Sequence, residues 1–500
     1  MIGIWILGDR LTKKQLSLVN NQDNKKNAVV IFIESNNYVR QRPYHRQKLV
    51  LVWSAMRHFA QELKADNWQV SYEIAEDFVT PLNNWIEQHN ITELQITNPG
   101  DRPFAKLIEN LDLKCKITFL ADTHFLWNRD EFVAWAKPRK RLLMEDFYRA
   151  SRKRFNILMD GKKPIGGKWN YDKDNRQPPK KDLQTPAPLT FTADAITTEV
   201  IEHIKQEKFS NYGRIEPFNW AVTRQQAQAV LAYFVEQCLP KFGTYQDAMV
   251  TGEYTMWHSL ISPYLNLGLL EPMEVIDAVE TAYYQQELPL NCVEGFIRQV
   301  MGWREYMHGI YYLQDEDYSQ NNWFDHNQTL PEFFWNAAQA EMNCLSQTLT
   351  QVEETAYGHH IQRLMILSNF ALIAGISPQE IENWFHSTFI DAYDWVMQTN
   401  VIGMGQFADG GILASKPYAA SANYINKMSD YCKGCKYKKS DRTGEKACPF
   451  NFFYWDFLIR HQDKLRSLGR MNLVLSHLKR ISPAESEQIR SLSKEWWQNQ

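Results

Sequence analysis

The 500-residue sequence lacks the features that mark several common classes of protein. It has no apolar run of 18 residues, which excludes an ordinary membrane-spanning helix. No charged segment followed by an apolar one resembles a secretory signal peptide, because only Arg10 precedes the first polar stretch. Seven cysteines are too few, and odd in number, for a disulfide scaffold. We therefore expect a cytoplasmic protein, and about 100–200 residues per domain predicts two or three domains.

The sequence also lacks the usual nucleotide-binding loops, since neither GxGxxG nor GxxxxGK[ST] follows the first predicted strand. Short β-rich runs nevertheless alternate with helical stretches near the N-terminus. The predicted strands cover residues 2–7, 28–34, 69–74, 94–97 and 116–120, and the clearest helices cover 48–63 and 81–89. This alternation predicts an α/β domain with a doubly wound parallel sheet over residues 1–130. Ligands in such sheets bind at the carboxyl ends of the strands.

The net charge of only −3 gives no overall attraction to nucleic acid, but the charge is unevenly distributed. Residues 137–181 contain fifteen Lys or Arg and five Asp or Glu, a net charge of +10 that leaves −13 for the rest. Glycine, proline and aromatic residues are frequent there. We predict a basic connector over residues 131–200 that could contact a phosphate backbone, with a solvated linker as the alternative. From residue 201 to 500 helical periodicity predicts a large all-α domain.

Three clustered cysteines give the strongest motif. Cys432 and Cys435 are separated by two residues, and Cys448 follows in a Cys-Pro step that also occurs in ferredoxin-type clusters. Thiolates bind zinc or iron–sulfur clusters, and the spacing alone leaves both open. Cys344 or His461 could supply a fourth ligand. The other cysteines, predicted to be core residues, are Cys115, Cys238 and Cys292.

Two further motifs combine titratable residues with glycine. His360 and Arg363 would share one helical face, and a buried histidine can donate a proton near neutral pH. A second stretch, residues 389–411, contains carboxylates, Asn400 and several glycines, a pattern typical of a loop that packs closely on a ligand. The alternative interpretations are a structural histidine and an interhelical turn.

Together these motifs resemble the photolyase/cryptochrome family, and most closely its iron–sulfur bacterial branch of (6-4) photolyases. The resemblance covers essentially the whole chain in the same order. It rests on the cysteines, on His359-His360, and on two segments that span residues 258–265 and 298–306. It implies an α/β antenna domain, a long connector and a helical FAD-binding domain. The implied activity is that of a carbon–carbon lyase that repairs (6-4) photoproducts in UV-damaged DNA with light and reduced FAD.

The resemblance also implies roles for individual residues. Residues of the FAD cradle would be Tyr245, His258, Ser259, Ser262, Gln299, Arg304, Arg363, Asp391, Asn400, Asp409 and Gly410. His360 would protonate the lesion and Tyr418 would contact it, and Asp172, Arg176 and Lys168 of the connector would contact DNA. Cys344, Cys432, Cys435 and Cys448 would hold a 4Fe–4S cluster. A 6,7-dimethyl-8-ribityllumazine antenna would lie against Gly8, Asp9, Glu34 and Tyr38.

The sequence departs from the family pattern at two positions. Met404 stands where many photolyases have a tryptophan beside the flavin, so Trp384 and Tyr424 are the candidates for another electron route. Leu364 replaces the second histidine of eukaryotic (6-4) enzymes, which leaves His360 as the obvious acid. We expect a monomer that repairs (6-4) lesions. The alternatives are a cryptochrome photoreceptor with the same cofactors, a cyclobutane-dimer photolyase, and a non-enzymatic iron–sulfur protein that binds nucleic acid.

Overall fold

A five-stranded parallel sheet forms the N-terminal part of the protein. The computed structural model describes residues 1–181, 183–207 and 209–499. The strands are β1 (Ile2–Trp5), β2 (Ala28–Ser35), β3 (Gln69–Ala75), β4 (Glu93–Thr97) and β5 (Lys116–Leu120). They pair in the order β3-β2-β1-β4-β5, and all neighbours are parallel. The predicted doubly wound α/β sheet is therefore confirmed.

Burial explains which strands lie in the centre. All eight residues of β2 are buried, as expected for an apolar run covered by helices on both faces of a parallel sheet. The helices of this part are Leu16–Val19, Asn36–Val39, Arg46–Ala65, Val79–Gln88 and Arg102–Glu109. The strand order reverses direction at β1, so the carboxyl ends of β1 and β4 border a crevice in which ligands of such folds bind.

The basic segment is partly ordered into helices. Arg129–Ala136 and Met144–Phe155 are followed by a short hairpin of β6 (Met159–Asp160) and β7 (Lys163–Pro164). Irregular chain and short 3-10 turns then lead to the helix Ala195–Glu207. The division of the chain at residues 130 and 200 stays a prediction.

The remainder of the chain is helical, which confirms the predicted fold class. Its α-helices are Arg224–Tyr233, Leu239–Tyr245, Ser262–Leu267, Pro272–Gln286, Leu290–Ile297, Glu305–Leu313, Asn343–Thr355, Asn369–Ala374, Pro378–Thr388, Asp394–Met397, Ala422–Met428, Pro449–Arg460, Gln462–Arg466, Asn472–Ser476 and Pro483–Gln498. Four π-helical segments interrupt them at Phe234–Cys238, Arg298–Arg304, Gln362–Ser368 and Gln398–Gly405. No helix within the described ranges is both long enough and apolar enough to span a membrane.

Candidate functional site

A cavity of about 290 Å³ lies inside the helical part of the protein. Nine predicted residues line it: His258, Ser259, Ser262, Gln299, Arg304, His360, Arg363, Asp391 and Asn400. Their sequence positions span more than 140 residues, so the fold brings together side chains from distant helices. Leu364, one of the two departures from the family pattern, also lines this cavity, whereas Met404, the other, is buried but does not.

Three of the four π-helical segments contribute to the wall of this cavity. Arg298–Arg304 supplies Gln299 and Arg304, Gln362–Ser368 supplies Arg363, and Gln398–Gly405 supplies Asn400. A π turn inserts one residue into a helix, which rotates the following side chains and often marks a functional site. Apolar periodicity in the sequence gives no signal for such turns.

A buried ion pair crosses the cavity wall. The Arg363 guanidinium donates to both carboxylate oxygens of Asp391 at 2.8 and 3.1 Å, and Ser262 Oγ donates to Asp391 Oδ2 at 2.7 Å. Although burial opposes ionisation, Arg363 and these hydrogen bonds keep the pKa of Asp391 below its usual value. Arg363 Nε also donates to the Gly358 carbonyl at 2.6 Å, so the pair is fixed on both sides.

Several buried nitrogens of the cavity wall have no hydrogen-bond partner among the described residues. They include Nε2 of His258, both ring nitrogens of His359, and Nε and Nη2 of Arg304. The rings of His258 and His359 stack at 4.4 Å, and Arg304 lies over Phe125 and Trp395. Since a buried donor without a partner costs about 1–3 kcal/mol, these groups fit a polar ligand that carries phosphate and heterocyclic acceptors. FAD has both kinds of acceptor.

His360 lines the cavity and is solvent-exposed as a residue. Burial and the charge of Arg363 lower the pKa of His360 to about 4. The ring is therefore neutral at pH 7 unless a negative charge in the cavity offsets Arg363, because a nearby anion favours the protonated form.

Three residues predicted for the FAD cradle lie outside this cavity. Tyr245 is buried and stacks on Trp257 at 5.1 Å. Asp409 accepts from the Tyr318 hydroxyl at 2.9 Å and from two backbone amides of the turn that follows it. Gly410 has a φ of +67° and lies so close to the Trp323 ring that a Cβ would be 2.8 Å away. In this structure Asp409 and Gly410 shape the loop that leads to Tyr418.

The predicted DNA-contacting residues lie near one another at the surface. Asp172 pairs with Arg176 and also accepts a hydrogen bond from Arg298 Nη1 at 3.4 Å. Arg298 precedes Gln299 in the same π-helical segment. The charges of Arg176 and Asp172 are both near enough to influence the pKa of Tyr418, which Arg176 lowers and Asp172 raises. Lys168 is exposed beside the Tyr171 ring. The connector therefore contacts the helical part at Arg298 and lies near Tyr418.

Trp384 and Tyr424, the candidates for electron transfer, do not contact each other among the described residues. Trp384 is fully buried, donates from Nε1 to the Phe334 carbonyl at 2.9 Å, and lies behind Phe385, which lines the cavity. Tyr424 instead lies near Asp247, and burial, followed by the charge of Asp247, raises the pKa of Tyr424.

The four predicted metal-binding cysteines lie together in a small cavity. Cys344 begins the helix Asn343–Thr355, Cys432 and Cys435 lie in a turn, and Cys448 precedes the helix Pro449–Arg460. Asn343 Nδ2 donates to the Tyr431 carbonyl at 2.8 Å and so holds the first helix against the turn. Burial, and next the neighbouring thiols, raise the pKa of Cys344, as expected for clustered sulfurs without a cation. His461 is not part of this group; its Nε2 lies 3.0 Å from His326 Nε2.

The sulfur positions do not form a closed tetrahedral site. In the described part of the chain, only Glu382, His386 and Asp394 form a group of three potential metal ligands whose ligand atoms lie within 4.8 Å of one another. No three of the four cysteine sulfurs are therefore that close together. A tetrahedral zinc ion with Zn–S bonds of about 2.3 Å requires sulfurs about 3.8 Å apart, so a single zinc ion would need the thiols to move closer together.

A second cavity, of about 150 Å³, opens at the carboxyl ends of β1, β2 and β4. Gly8, Asp9 and Tyr38 line it, as predicted for the antenna. Glu34 does not, because side chains alternate along β2 and Ile33 and Ser35 face the cavity instead. Glu34 is buried on the opposite face, where Arg57 donates to it at 2.8 and 2.9 Å.

Sequence reasoning missed one ionisable residue of this second cavity, Lys48, which lies there together with Asp101. Lys48 lies within the long helix Arg46–Ala65, and its Nζ donates to the Ala392 carbonyl at 2.5 Å. Burial lowers the pKa of Lys48, whereas burial and the nearby Asp394 raise the pKa of Asp101. The sequence pattern does not indicate that Lys48 is buried, because a lysine among the apolar residues of a helix is equally consistent with an exposed position.

Comparisons with known proteins agree with this architecture. A family model described as deoxyribodipyrimidine photo-lyase-related protein matches residues 4–220. A (6-4) photolyase of Agrobacterium fabrum is 42% identical over 478 residues, which cover 94% of this chain and 93% of that protein. The crystal structure of a bacterial class III photolyase from Agrobacterium tumefaciens aligns with a TM-score of 0.55 at 15% identity, covering 81% of this chain and 80% of that one. A cryptochrome of Synechocystis sp. PCC6803 aligns with a TM-score of 0.53 at 13% identity, covering 81% and 82%.

Proposed function

The chain belongs to the photolyase/cryptochrome family, and from this we propose that it repairs (6-4) photoproducts in UV-damaged DNA with light. The observation that carries the proposal is the position of His360. It lines the same cavity as the Arg363–Asp391 pair and the phosphate-binding candidates, and it is solvent-exposed. A proton donor is therefore available at the surface that a flipped base would reach.

The larger cavity is proposed to hold FAD, which supplies a single electron to the lesion when it is reduced and excited by light. His258 and Arg304 would bind its phosphates through buried donors that lack protein partners, and Ser259, which lines the same cavity, would add a hydroxyl. The ion pair of Arg363 and Asp391 would orient the flavin ring, because both groups are held by further hydrogen bonds and cannot rotate freely.

We propose that His360 transfers a proton from its ring nitrogen to the lesion. A pKa of about 4 would leave the ring unprotonated at pH 7, so the role requires an anion near Arg363. An anionic cofactor bound in the cavity would supply that charge and raise the pKa of His360. The acid function of His360 should therefore depend on cofactor binding.

The four cysteines are proposed to hold a 4Fe–4S cluster rather than zinc, on the basis of the Cys448-Pro449 step and the match of the four positions to the cluster ligands of the family. Because the ligands come from the starts of two helices and from a separate turn, the cluster would tie these elements together. The second cavity is proposed to hold a ribityllumazine antenna against Gly8, Asp9 and Tyr38, and Asp172, Arg176 and Lys168 to contact the DNA backbone. We propose that the protein acts as a monomer.

Illumination of the reduced protein with an oligonucleotide that carries one (6-4) lesion tests the proposal. We expect restored thymines, detected by chromatography of the digested product, in light and not in the dark. A sample with bound FAD that restores no thymines would contradict repair and would favour a photoreceptor. The same assay with a cyclobutane dimer separates the two lesion classes.

A further inference from the structure

Two surface segments of the helical part meet beside Tyr418. One is the loop of residues 410–418, and the other is the segment of residues 464–480, which includes the helix Asn472–Ser476. Arg470 Nη1 donates to Ser415 Oγ at 2.5 Å and so joins them. Arg470 lies near enough to Tyr418 for its charge to lower the pKa of the hydroxyl. Asp172 and Arg176 of the connector also influence this pKa. The second segment and the connector therefore both lie near Tyr418.

The segment 464–480 is strongly basic. It contains five Lys or Arg and no Asp or Glu. Lys464 pairs with Asp325 and Arg466 with Asp463, but Arg470, Lys479 and Arg480 have no carboxylate partner in the part of the chain that the structure describes. Lys416 on the neighbouring loop is likewise exposed. A run of exposed cations without partners fits a polyanion such as a phosphate backbone.

Exposed apolar side chains lie among these charges. Leu473 is 76% exposed, the highest value for a large apolar side chain in the described ranges, and Ile412 is 39% exposed. Met471 and Leu475, the neighbours of Leu473, are buried. The short helix is therefore anchored on one face and presents Leu473 on the other. Nothing in the fold requires an apolar residue there. Proteins that unstack bases commonly insert such a side chain between them.

We propose that the segment 464–480 is a second DNA-binding border, in which Arg470 contacts a phosphate and Leu473 fills the space left by the flipped lesion. This deepens the proposed repair function and rests on it, since it requires damaged duplex DNA at the cavity. Arg470 and the connector would hold the strand from two sides of Tyr418. Leu473 would stabilise the opened duplex by replacing the stacking contacts of the lesion.

Fluorescence anisotropy with the FAD-bound protein tests this inference. Two duplexes are compared, one with a single (6-4) lesion and one undamaged, each over a range of salt concentrations. Arg470→Ala should weaken binding to both duplexes and reduce the slope of log K against log salt by about 1. Leu473→Ser should leave that slope unchanged and reduce the preference for the damaged duplex about tenfold. Leu473→Met should retain the preference.

Matched controls lie on the N-terminal part of the protein. Val19→Ser removes another exposed apolar side chain, and Lys26→Ala removes another exposed cation, and neither should change binding. An unchanged preference in Leu473→Ser, when the wild type prefers the lesion, would refute this inference alone. A wild type without any preference for the lesion would instead refute the proposed function. Because Leu473 is exposed, the variant should unfold at the wild-type temperature, which thermal denaturation checks.

Discussion

Replacing Asp391 by Asn removes the charge that neutralises Arg363 at the floor of the larger cavity. The side chains of Arg363 and Asp391 are only 16% and 9% exposed, so water cannot replace the lost partner effectively. Breaking a buried pair by removing one partner costs about 3–5 kcal/mol. Arg363 keeps its bond to the Gly358 carbonyl, and the amide oxygen of Asn can still accept one hydrogen bond. We therefore expect a loss of about 3 kcal/mol in the free energy of unfolding.

Denaturant unfolding followed by circular dichroism and flavin fluorescence measures this change. Because Arg363 and the hydrogen bonds lower the pKa of Asp391 in the folded state, its carboxylate contributes stability above the unfolded pKa of about 4. That contribution is lost as the pH falls through the lower, folded pKa. The difference between wild type and Asp391→Asn should thus shrink below pH 4. A difference that is equal at pH 7 and pH 3 would refute the electrostatic explanation. Glu145→Gln, in a more exposed pair with Arg149, should cost at most about 0.5 kcal/mol.

Three further substitutions test the other sites. His360→Ala should abolish repair and keep the FAD absorption spectrum, and any retained light-dependent repair would contradict the acid role. Cys435→Ala should lose iron and the visible absorption of the cluster, whereas stoichiometric zinc in the wild type would contradict the cluster assignment. Gly8→Val should prevent antenna binding, because a Cβ at Gly8 would lie 2.9 Å from Val52 and 3.1 Å from Met56. Chromophore release and mass spectrometry measure the antenna content. An unchanged antenna content would show that this cavity is not the site.

The sheet could be predicted from sequence because its strands are short apolar runs with turn residues between them. The predicted strand at residues 116–120 coincides with β5, and the others differ from the structure by at most two residues at an end. Glu34 shows the limit of this reasoning. Its position at the end of β2 is predictable, but the face to which it points depends on the strand register, and the structure directs it toward Arg57. One residue along, Ser35 occupies the predicted place.

Local motifs indicated His360, Arg363 and Asn400, but the rest of the wall of the larger cavity was predictable only through the family resemblance. Its residues are spread along the chain, and periodicity could not show that three π turns rotate them toward one space. The same limit applies to Asp409 and Gly410. A carboxylate beside glycines is typical of a ligand-binding loop, yet hydrogen bonds to local backbone amides satisfy Asp409, so the pattern also describes a turn.

The two cavities share one short segment of chain. Asp391, Trp395 and Val396 line the larger cavity, whereas Ala392 and Tyr393 between them line the smaller one. The Lys48 amine, from the N-terminal part, donates to the carbonyl of Ala392 and so fixes this segment from the antenna side. Since protein interiors are close-packed, the segment cannot shift toward one cavity without changing the other. The position of this segment, which borders both cavities, is therefore set jointly by Arg363 on one side and Lys48 on the other.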